Sequence, residues 1–250
     1  MRPTIVVWFS CGAASAVALK KTLEVYGSSH EVRAVNTPIA DEHADNLRFC
    51  ADVAKWCGVE IETASNPKYP TNSIVDLFEQ RQFMSGPHGA VCTETLKKEA
   101  RYLYEKQHKI AWHVFGFTAD ELKRHKNFVL AERSNVLPVL IDLAITKADC
   151  LGIIEKAGLR LPMIYSLGYP NANCIGCVKA SSPTYWNHVR STFPEVFDQR
   201  AEQSRRIGCR LVRVNNKRVF LDELSPSVKG RPLKALRAPE CGIFCEERVT

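Results

Sequence analysis

Cysteine thiols are the side chains in this 250-residue sequence whose spacing most directly predicts chemistry. Cys174 and Cys177 flank a glycine in the stretch NANCIGCVKAS, and two thiolates at this spacing can bind one metal ion or iron–sulfur cluster. Such a pair needs further ligands. The candidates are Cys92, at the expected start of a helix, and Cys241 or Cys245 in the tail sequence ECGIFC. We therefore predict a thiolate-bound metal centre.

The remaining cysteines favour a reduced protein. Ten cysteines would suit a secreted disulfide scaffold in a much shorter chain, so reduced thiols and a cytoplasmic location fit better here. Cys50, Cys57, Cys150 and Cys209 fall on apolar positions of expected helices or strands, and we expect them to be buried structural residues. The role of Cys11 stays open.

A second candidate site lies where a buried strand meets a helix, in the stretch FSCGAASAVALKK. A turn rich in Ser and Gly that opens a helix directs backbone N–H groups and the positive helix end toward an anion, so we expect residues 10–15 to bind phosphate or sulfate. The alternative is a purely structural turn. Neither the P-loop pattern of classical nucleotide triphosphatases nor the dinucleotide pattern Gly-x-Gly-x-x-Gly is present.

The elements around this turn alternate between strand and helix, which predicts an α/β fold with a doubly wound, mostly parallel sheet. We expect residues 1–180 to form the nucleotide-binding domain and residues 181–250 a helical and hairpin extension with a basic tail. No apolar run approaches the roughly 20 residues that cross a bilayer, so no membrane partner is expected. Strands are predicted at 4–9, 31–37, 59–64 and 111–117, helices at 15–27, 41–57, 73–80, 93–108, 146–158, 184–191 and 195–206, and a hairpin turn at Asn215-Asn216.

The formal charge of +7 is concentrated at the C-terminal end, where residues 200–250 carry twelve Lys or Arg against six Asp or Glu. One interpretation is a solvated basic tail. Another is a surface for nucleic acid, and a small molecule carrying phosphate or sulfate would also suffice. The residues concerned are Arg205, Arg206, Arg210, Arg213, Lys217 and Arg218.

The stretch SCGAAS resembles the PP-loop, Ser-Gly-Gly-x-Asp-Ser, of the adenine nucleotide alpha hydrolase-like superfamily. Ser10, Gly12 and Ser15 match, while Cys11 replaces the first glycine and Ala14 the aspartate. Members that adenylate a substrate with ATP tend to keep that acid, so its loss favours a reductase-like enzyme. The resemblance implies an adenine nucleotide bound by Ser10, Cys11, Gly12, Ala13, Ala14 and Ser15.

Within that superfamily the chain resembles the phosphoadenylyl-sulfate (PAPS/APS) reductase family from about residue 4 to 245. CTETLK is similar to the family's Cys-Cys-x-x-x-Lys segment with Thr93 in place of the second cysteine, and CIGC to its second cysteine pair. ECGIFC is similar to the C-terminal Glu-Cys-Gly-Ile/Leu-His, with Phe244 where the histidine would be. The resemblance implies a [4Fe-4S] cluster, a cysteine nucleophile, PAPS, APS or ATP as the nucleotide, and a thiol reductant such as thioredoxin.

The resemblance leaves two assignments of the cysteines open. In the preferred one, Cys92, Cys174, Cys177 and Cys245 hold the cluster and Cys241 is the catalytic nucleophile. In the rival one, Cys241 replaces Cys92 as a ligand, which removes the nucleophile. A structural zinc ion is the further alternative.

Charged residues near these motifs are candidates for nucleotide contacts. Lys97 and Lys98 follow Cys92 by about one turn and would balance sulfate or an anionic cluster, or else are exposed helix charges. The stretch FGFTADELKRHKNF resembles a family segment with an acid and a base near the nucleotide, for which Asp120, Glu121 and Arg124 are the candidates. We expect the histidines at 88, 113 and 125 to be surface or core residues.

Three functions remain compatible with the sequence. The first is an adenylyl-sulfate reductase that uses an external thiol. The second is a PP-loop sulfurtransferase that modifies tRNA or DNA, for which the basic residues 205–218 would contact the nucleic acid. The third is a non-catalytic nucleotide-binding module with a structural cluster. The absence of the PP-loop acid favours the first function, and the basic tail favours the second.

Overall fold

The computed structural model describes residues 2–87 and 89–233. Five parallel strands form its main sheet, and two short antiparallel hairpins lie elsewhere in the described chain. In chain order the strands are β1 (Thr4–Phe9), β2 (Glu31–Asn36), β3 (Ile61–Thr63), β4 (Ser85–Gly86), β5 (Gly89–Ala90), β6 (Trp112–Val114), β7 (Val136–Leu137), β8 (Val212–Val214) and β9 (Lys217–Val219).

Helices connect these strands. They are α1 (Ala13–Tyr26), α2 (Asp45–Cys57), α3 (Ile74–Arg81), α4 (Glu99–Gln107), α5 (Leu122–Ala131), α6 (Val139–Asp142), α7 (Lys147–Lys156), α8 (Met163–Ser166), α9 (Pro183–Thr192) and α10 (Pro194–Ile207). A π-helix covers Thr93–Lys98, and 3-10 turns cover Ala119–Glu121 and Leu221–Glu223.

The main sheet has the strand order β3-β2-β1-β6-β7, which confirms the predicted doubly wound fold. The chain first builds outward from β1 through β2 to β3 and then returns to the other side of β1 with β6 and β7. β1 pairs with β2 from Thr4–Glu31 to Phe9–Asn36 and with β6 from Ile5–Trp112 onward. The direction of winding therefore reverses beside the carboxyl end of β1, where folds of this class bind ligands.

The sequence of β1, TIVVWF, explains its central place. β-Branched and aromatic residues suit an extended chain that is covered on both faces, and five of the six residues are buried. Val6 and Trp8 pack in one cluster with Tyr104 of α4, while the ring of Phe9 lies 6.4 Å from that of Phe49 in α2. Successive strand residues point to opposite faces, so helices cover both sides of the sheet.

The chain divides into two compact units that alternate along the sequence. The first unit comprises residues 1–38, 44–66 and 98–163 and contains the parallel sheet. The second comprises residues 39–43, 67–97 and 164–250 and has its own apolar core around Trp186 and Phe78. This division differs from the boundary expected at residue 180, because residues 67–97 and 164–180 pack within the second unit.

Most predicted elements are confirmed, with differences at their ends. The helix expected at 41–57 begins only at Asp45, because Asp41 instead accepts a hydrogen bond from the backbone N–H of Ile74 at 2.7 Å. The strand expected at 111–117 ends at Val114. None of the helices in the described part of the chain is long and apolar enough to span a membrane.

Candidate functional site

The turn between β1 and α1 has the backbone conformation of a glycine turn although it carries a cysteine. Cys11 adopts a φ of 55°, in the left-handed region that favours glycine, and its side chain is buried. This is the position at which the PP-loop pattern has its first glycine. Gly12 is the N-cap of α1, and capping by a side chain is not seen there among residues 2–87 and 89–233.

Ser15 fixes the shape of this turn. Its hydroxyl donates to the Gly12 carbonyl at 2.9 Å and accepts hydrogen bonds from the Ser10 backbone N–H at 3.1 Å and the Ser10 hydroxyl at 3.2 Å. Ser15 is buried, as are Ala13 and Ala14, whereas Ser10 is exposed. The two serines that match the PP-loop therefore close the turn on itself and hold the first turn of α1 in place.

The loop after β6 approaches this helix end closely. A Cβ atom added to Gly116 would lie 2.9 Å from the Ser15 backbone nitrogen and 3.1 Å from the Ala14 carbonyl carbon. Only a glycine allows the two backbones to come this near. The sequence motifs did not single out Gly116, because a glycine after a strand is common and its neighbour across the fold is not visible in the sequence.

Asp120 and Arg124, the two predicted nucleotide contacts in this region, both have protein partners. Asp120 accepts a hydrogen bond from the backbone N–H of Lys147 at 3.0 Å, at the start of α7. Arg124 pairs with Glu121 at 2.5 Å and lies over the ring of Phe117, with its guanidinium carbon 5.3 Å from the ring centroid. Their role in nucleotide binding stays a prediction.

Cys11 also has a thiol neighbour. The thiols of Cys11 and Cys50 form a hydrogen bond that lowers the pKa of Cys50, and the Asn36 amide donates to the Cys11 sulfur at 3.5 Å. Cys57, about two helical turns beyond Cys50 on α2, shows the opposite behaviour, because burial raises its pKa to about 11. Cys150 is fully buried, as predicted, whereas Cys50, Cys57 and Cys209 are only partly buried.

Three of the predicted cluster ligands lie in the second unit and share its apolar core. Cys174 is buried in that core, and Cys92 and Cys177 are partly buried against it. The Cys177 backbone N–H donates to the Tyr185 hydroxyl at 2.8 Å. Gly176, between the paired cysteines, has a φ of 67°, so the turn at this Cys-x-x-Cys requires a left-handed residue.

Arg200 of α10 is a buried cation beside these cysteines. Arg200 is 1% exposed. Its guanidinium donates a hydrogen bond to the Gln203 side chain, and the guanidinium carbon lies 5.2 Å from the Phe78 ring centroid. The Arg200 Nε has no hydrogen-bond partner among the described residues. Burial lowers its pKa, while Asp41, Cys174 and Cys92 act in the opposite direction as nearby groups that can carry negative charge. No carboxylate among the described residues forms an ion pair with Arg200 within 4 Å.

Asp41 only partly compensates this guanidinium. Burial raises the pKa of Asp41, against the opposing effects of its hydrogen bond from Ile74 and of Arg200. An unpaired buried ion costs several kcal/mol, so a guanidinium at this position favours negative charge on the thiols that face it. The sequence analysis missed Arg200, although the spacing of Phe197, Arg200, Ala201 and Ser204 places an arginine on the buried stripe of an amphipathic helix.

Lys97 and Lys98 are both buried, so the interpretation of exposed helix charges is wrong. The Lys97 ammonium lies 3.0 Å from the Glu42 carboxylate, and both side chains are largely covered. Lys97 and Lys98 belong to the π-helix that begins at Thr93, immediately after Cys92. π-Helical turns of this kind often occur at functional sites.

The described residues give no complete metal site by themselves. No group of three His, Cys, Asp or Glu side chains within residues 2–87 and 89–233 is arranged to hold a metal ion. Cys241 and Cys245, the predicted nucleophile and fourth ligand, lie outside the described residues, as do Phe244 and His88. The thiol donors at 92, 174 and 177 match the soft ligands that zinc and iron–sulfur clusters take.

His113 is a core residue, as expected. It is 4% exposed, and the Trp8 indole N–H donates to its Nδ1 at 3.1 Å. Burial, together with the neighbouring Arg133 and Arg101 guanidiniums, lowers its pKa to about 3. His125 is likewise buried, which lowers its pKa.

The basic residues near the C-terminal end of the described chain separate into two groups. Arg205 pairs with Asp222 at 2.7 Å and with Glu223 at 3.0 Å, and Arg206 pairs with Glu79. These two arginines are therefore neutralised within the protein. The other four cations of the stretch are exposed and form no ion pair with a described acid; they are Arg210, Arg213, Lys217 and Arg218.

Comparison of the sequence with known protein families gives no match, and no curated protein matches it. Among solved structures, the chain is similar to the crystal structure of a phosphoadenylyl-sulfate (PAPS) reductase from Candida auris in complex with phosphate. The two are 12% identical, the match covers 69% of this chain and 81% of that chain, and the TM-score is 0.48. This likeness carries no conclusion about activity; the α/β fold rests on the strand order and pairing given above.

Proposed function

We propose that this chain is an enzyme of the PAPS/APS reductase type, in which an adenine nucleotide binds at the turn of residues 10–15 and a cysteine thiolate attacks its activated sulfate. A bound [4Fe-4S] cluster held by Cys92, Cys174, Cys177 and Cys245 completes the proposal. The observation that carries it is the buried guanidinium of Arg200, which faces cysteines that match the family's cluster motifs.

Features of the first unit support the proposed nucleotide binding. The turn at residues 10–15 follows the central strand at the point where the winding of the sheet reverses. Helix α1 has 14 residues, and its positive end points to this turn and favours an anion there. The left-handed Cys11 and the close approach of Gly116 support a turn built around a ligand rather than a connection alone.

The buried positive charge of Arg200 in the second unit supports the proposed metal-bound thiolates. A thiol at its usual pKa near 8.5 is mostly neutral at pH 7 and does not compensate a buried cation, whereas a metal-bound thiolate does. Arg200 therefore favours the metal-bound form of Cys92 and Cys174. A bound cluster would tie these cysteines to the tail and couple metal binding to folding.

The proposed reaction proceeds in two steps. The Cys241 thiolate attacks the sulfur of the nucleotide sulfate, so that an S–S bond forms and the S–O bond to the phosphate breaks, with the electron pair leaving on the nucleotide. A reduced dithiol, such as thioredoxin in the cytoplasm, then attacks Cys241. Sulfite leaves, and the dithiol supplies two electrons as it becomes a disulfide.

The first step can be tested without any reductant. Protein purified without oxygen is incubated with adenylyl sulfate and with its 3′-phosphorylated form, and the intact mass is measured. We expect a mass increase of one SO₃ group that maps to Cys241, and sulfite release after a dithiol is added. Cys57→Ser, which removes a partly buried thiol outside the proposed centre, should behave as the wild type.

Variants of the tail separate the two cysteine assignments. Cys241→Ser should retain iron and lose the SO₃ adduct, whereas Cys245→Ser should lose iron. Loss of iron in Cys241→Ser would support the rival assignment and remove the nucleophile. Absence of adduct and sulfite with both nucleotides, in protein that retains iron, would contradict the proposed reaction.

A PP-loop sulfurtransferase is the second candidate function. The observation that favours it is the group of four exposed cations near residues 210–218 that form no ion pair with a described acid. Incubation with ATP, a labelled sulfur donor and tRNA or DNA would then place label in the nucleic acid. Label in nucleic acid with no sulfite release would replace the first proposal by this one.

A further inference from the structure

The four cations that form no ion pair with a described acid belong to one small structural feature. β8 and β9 form an antiparallel hairpin whose turn consists of Asn215 and Asn216, with φ values of 47° and 62°. Asparagine tolerates this left-handed backbone better than most residues, which explains the tight two-residue connection. We call Arg210, Arg213, Lys217 and Arg218 together the basic hairpin.

The register of the hairpin places like charges against each other. Arg213 is paired directly with Arg218 across the two strands, and Lys217 lies opposite Val214. Like charges directly opposite each other in an antiparallel pair are destabilising. Partial desolvation is the main cause that lowers the pKa of Arg218, and the charge of Arg213 lowers it further. The fold therefore keeps an unfavourable concentration of positive charge at its surface.

Among the described residues, few groups accept hydrogen bonds from the side chains of the basic hairpin. The guanidinium carbon of Arg210 lies 4.9 Å from the Phe220 ring centroid, a contact that positions the group without using its N–H donors. Arg218 gives one N–H to the Leu211 carbonyl at 2.8 Å. By contrast, the Arg205 guanidinium donates hydrogen bonds to Asp222 and Glu223.

We propose that the basic hairpin docks on the phosphate backbone of a double-stranded nucleic acid. Three of its four cations are arginines, whose forked donors match phosphate oxygens, and a duplex offers phosphates along its whole length. A two-stranded ribbon is also of a size that fits the major groove. The proposal is independent of whether the enzyme releases sulfite.

Other partners fit this surface less well. Binding at a membrane surface uses large apolar side chains beside the cations, and binding of single strands uses exposed aromatic rings. Within the described stretch 205–223, no large hydrophobic side chain is exposed, and Phe220 is buried. The surface therefore offers charge and hydrogen-bond donors without a stacking platform.

The salt dependence of binding gives the expected magnitude. If each cation neutralises one phosphate, the plot of log K against log salt has a slope of about −3.6, so affinity falls roughly 150-fold between 50 and 200 mM salt. Removing two cations should halve that slope to about −1.8.

The test is fluorescence anisotropy with a labelled 20-base-pair DNA duplex at a series of salt concentrations. The variant is Arg213→Gln/Arg218→Gln, and the matched control is Lys55→Gln/Lys156→Gln, which removes two exposed lysines from helices of the first unit. Removing the cross-strand repulsion should leave the hairpin folded, and Lys217→Gln provides a milder variant that should lower the slope by about 0.9.

Several results would overturn the proposal. These are a wild-type slope near zero, equal loss of slope in the variant and the control, or no change with Lys217→Gln. Tighter binding to vesicles of anionic lipid or to polyglutamate than to the duplex would assign the surface to another partner. Equal binding of an unlabelled single strand in competition would contradict recognition of a duplex.

Discussion

Gly116 offers a sharp test of how the turn at residues 10–15 is supported. An alanine there would place its Cβ 2.9 Å from the Ser15 nitrogen and 3.1 Å from the Ala14 carbonyl carbon and the Ser15 Cα. All three atoms are backbone in the first turn of α1, so no side chain can rotate away. The loop after β6 must therefore move away from the helix start.

The expected cost follows from overpacking. Extra atoms in a packed site destabilise a protein by about 1–3 kcal/mol, and Gly116→Ala should fall in this range. Gly152→Ala in α7 is the matched control, since its Cβ would meet nothing within 4 Å and an alanine stabilises a helix interior by up to about 1 kcal/mol. The two substitutions add the same methyl group in the same unit, yet their free energies of unfolding should differ by about 1–4 kcal/mol.

Urea unfolding followed by circular dichroism measures this difference, and isothermal titration with phosphate and sulfate reports the anion site. We expect Gly116→Ala to unfold at lower urea and to bind the anion more weakly than Gly152→Ala. Equal stability of the two variants would refute the close approach at Gly116. A destabilised variant with unchanged anion affinity would show that this loop does not shape the site.

Two further predictions concern titratable groups of the first unit. The thiol of Cys11 lowers the pKa of Cys50, whereas the pKa of Cys57 is about 11, so iodoacetamide at pH 8 should label Cys50 well before Cys57. Peptide mass spectrometry checks this order, and earlier labelling of Cys57 would contradict the prediction. His113 has a folded pKa of about 3 against an ordinary 6.5, so the unfolded chain takes up the proton first as pH falls. The contribution of neutral His113 to the free energy of unfolding is intact above pH 6.5. The free energy of unfolding should be about 2 kcal/mol lower at pH 5, and His113→Gln should not show this loss.

The sequence predicted the architecture well because its signals are local. The strand TIVVWF and the helix after it, for example, depend on side-chain periodicity and on Gly27, which the chain carries within one short stretch. The same holds for the hairpin turn at Asn215-Asn216. Element ends were less predictable: Asp41 caps a distant helix instead of starting its own, and this depends on contacts that periodicity does not encode.

The candidate site was predictable in its residue types and less so in its surroundings. The spacing of Cys174 and Cys177 identifies them as candidate ligands in the sequence. The burial of Arg200 beside them is visible only in the folded chain. Likewise, six cations look equivalent in sequence, and only the fold shows that Arg205 and Arg206 have acidic partners. Charge compensation across the fold is the information that the sequence patterns did not carry.

The central claim is that thiolates facing Arg200 hold a metal centre, and the metal content of the protein tests it most directly. Protein purified without oxygen is assayed for iron, acid-labile sulfide and zinc, together with its visible spectrum. We predict four iron and four sulfide per chain in the wild type and in Cys209→Ser, and loss of both in Cys174→Ser/Cys177→Ser. A colourless, metal-free wild type that still releases sulfite from adenylyl sulfate would contradict it.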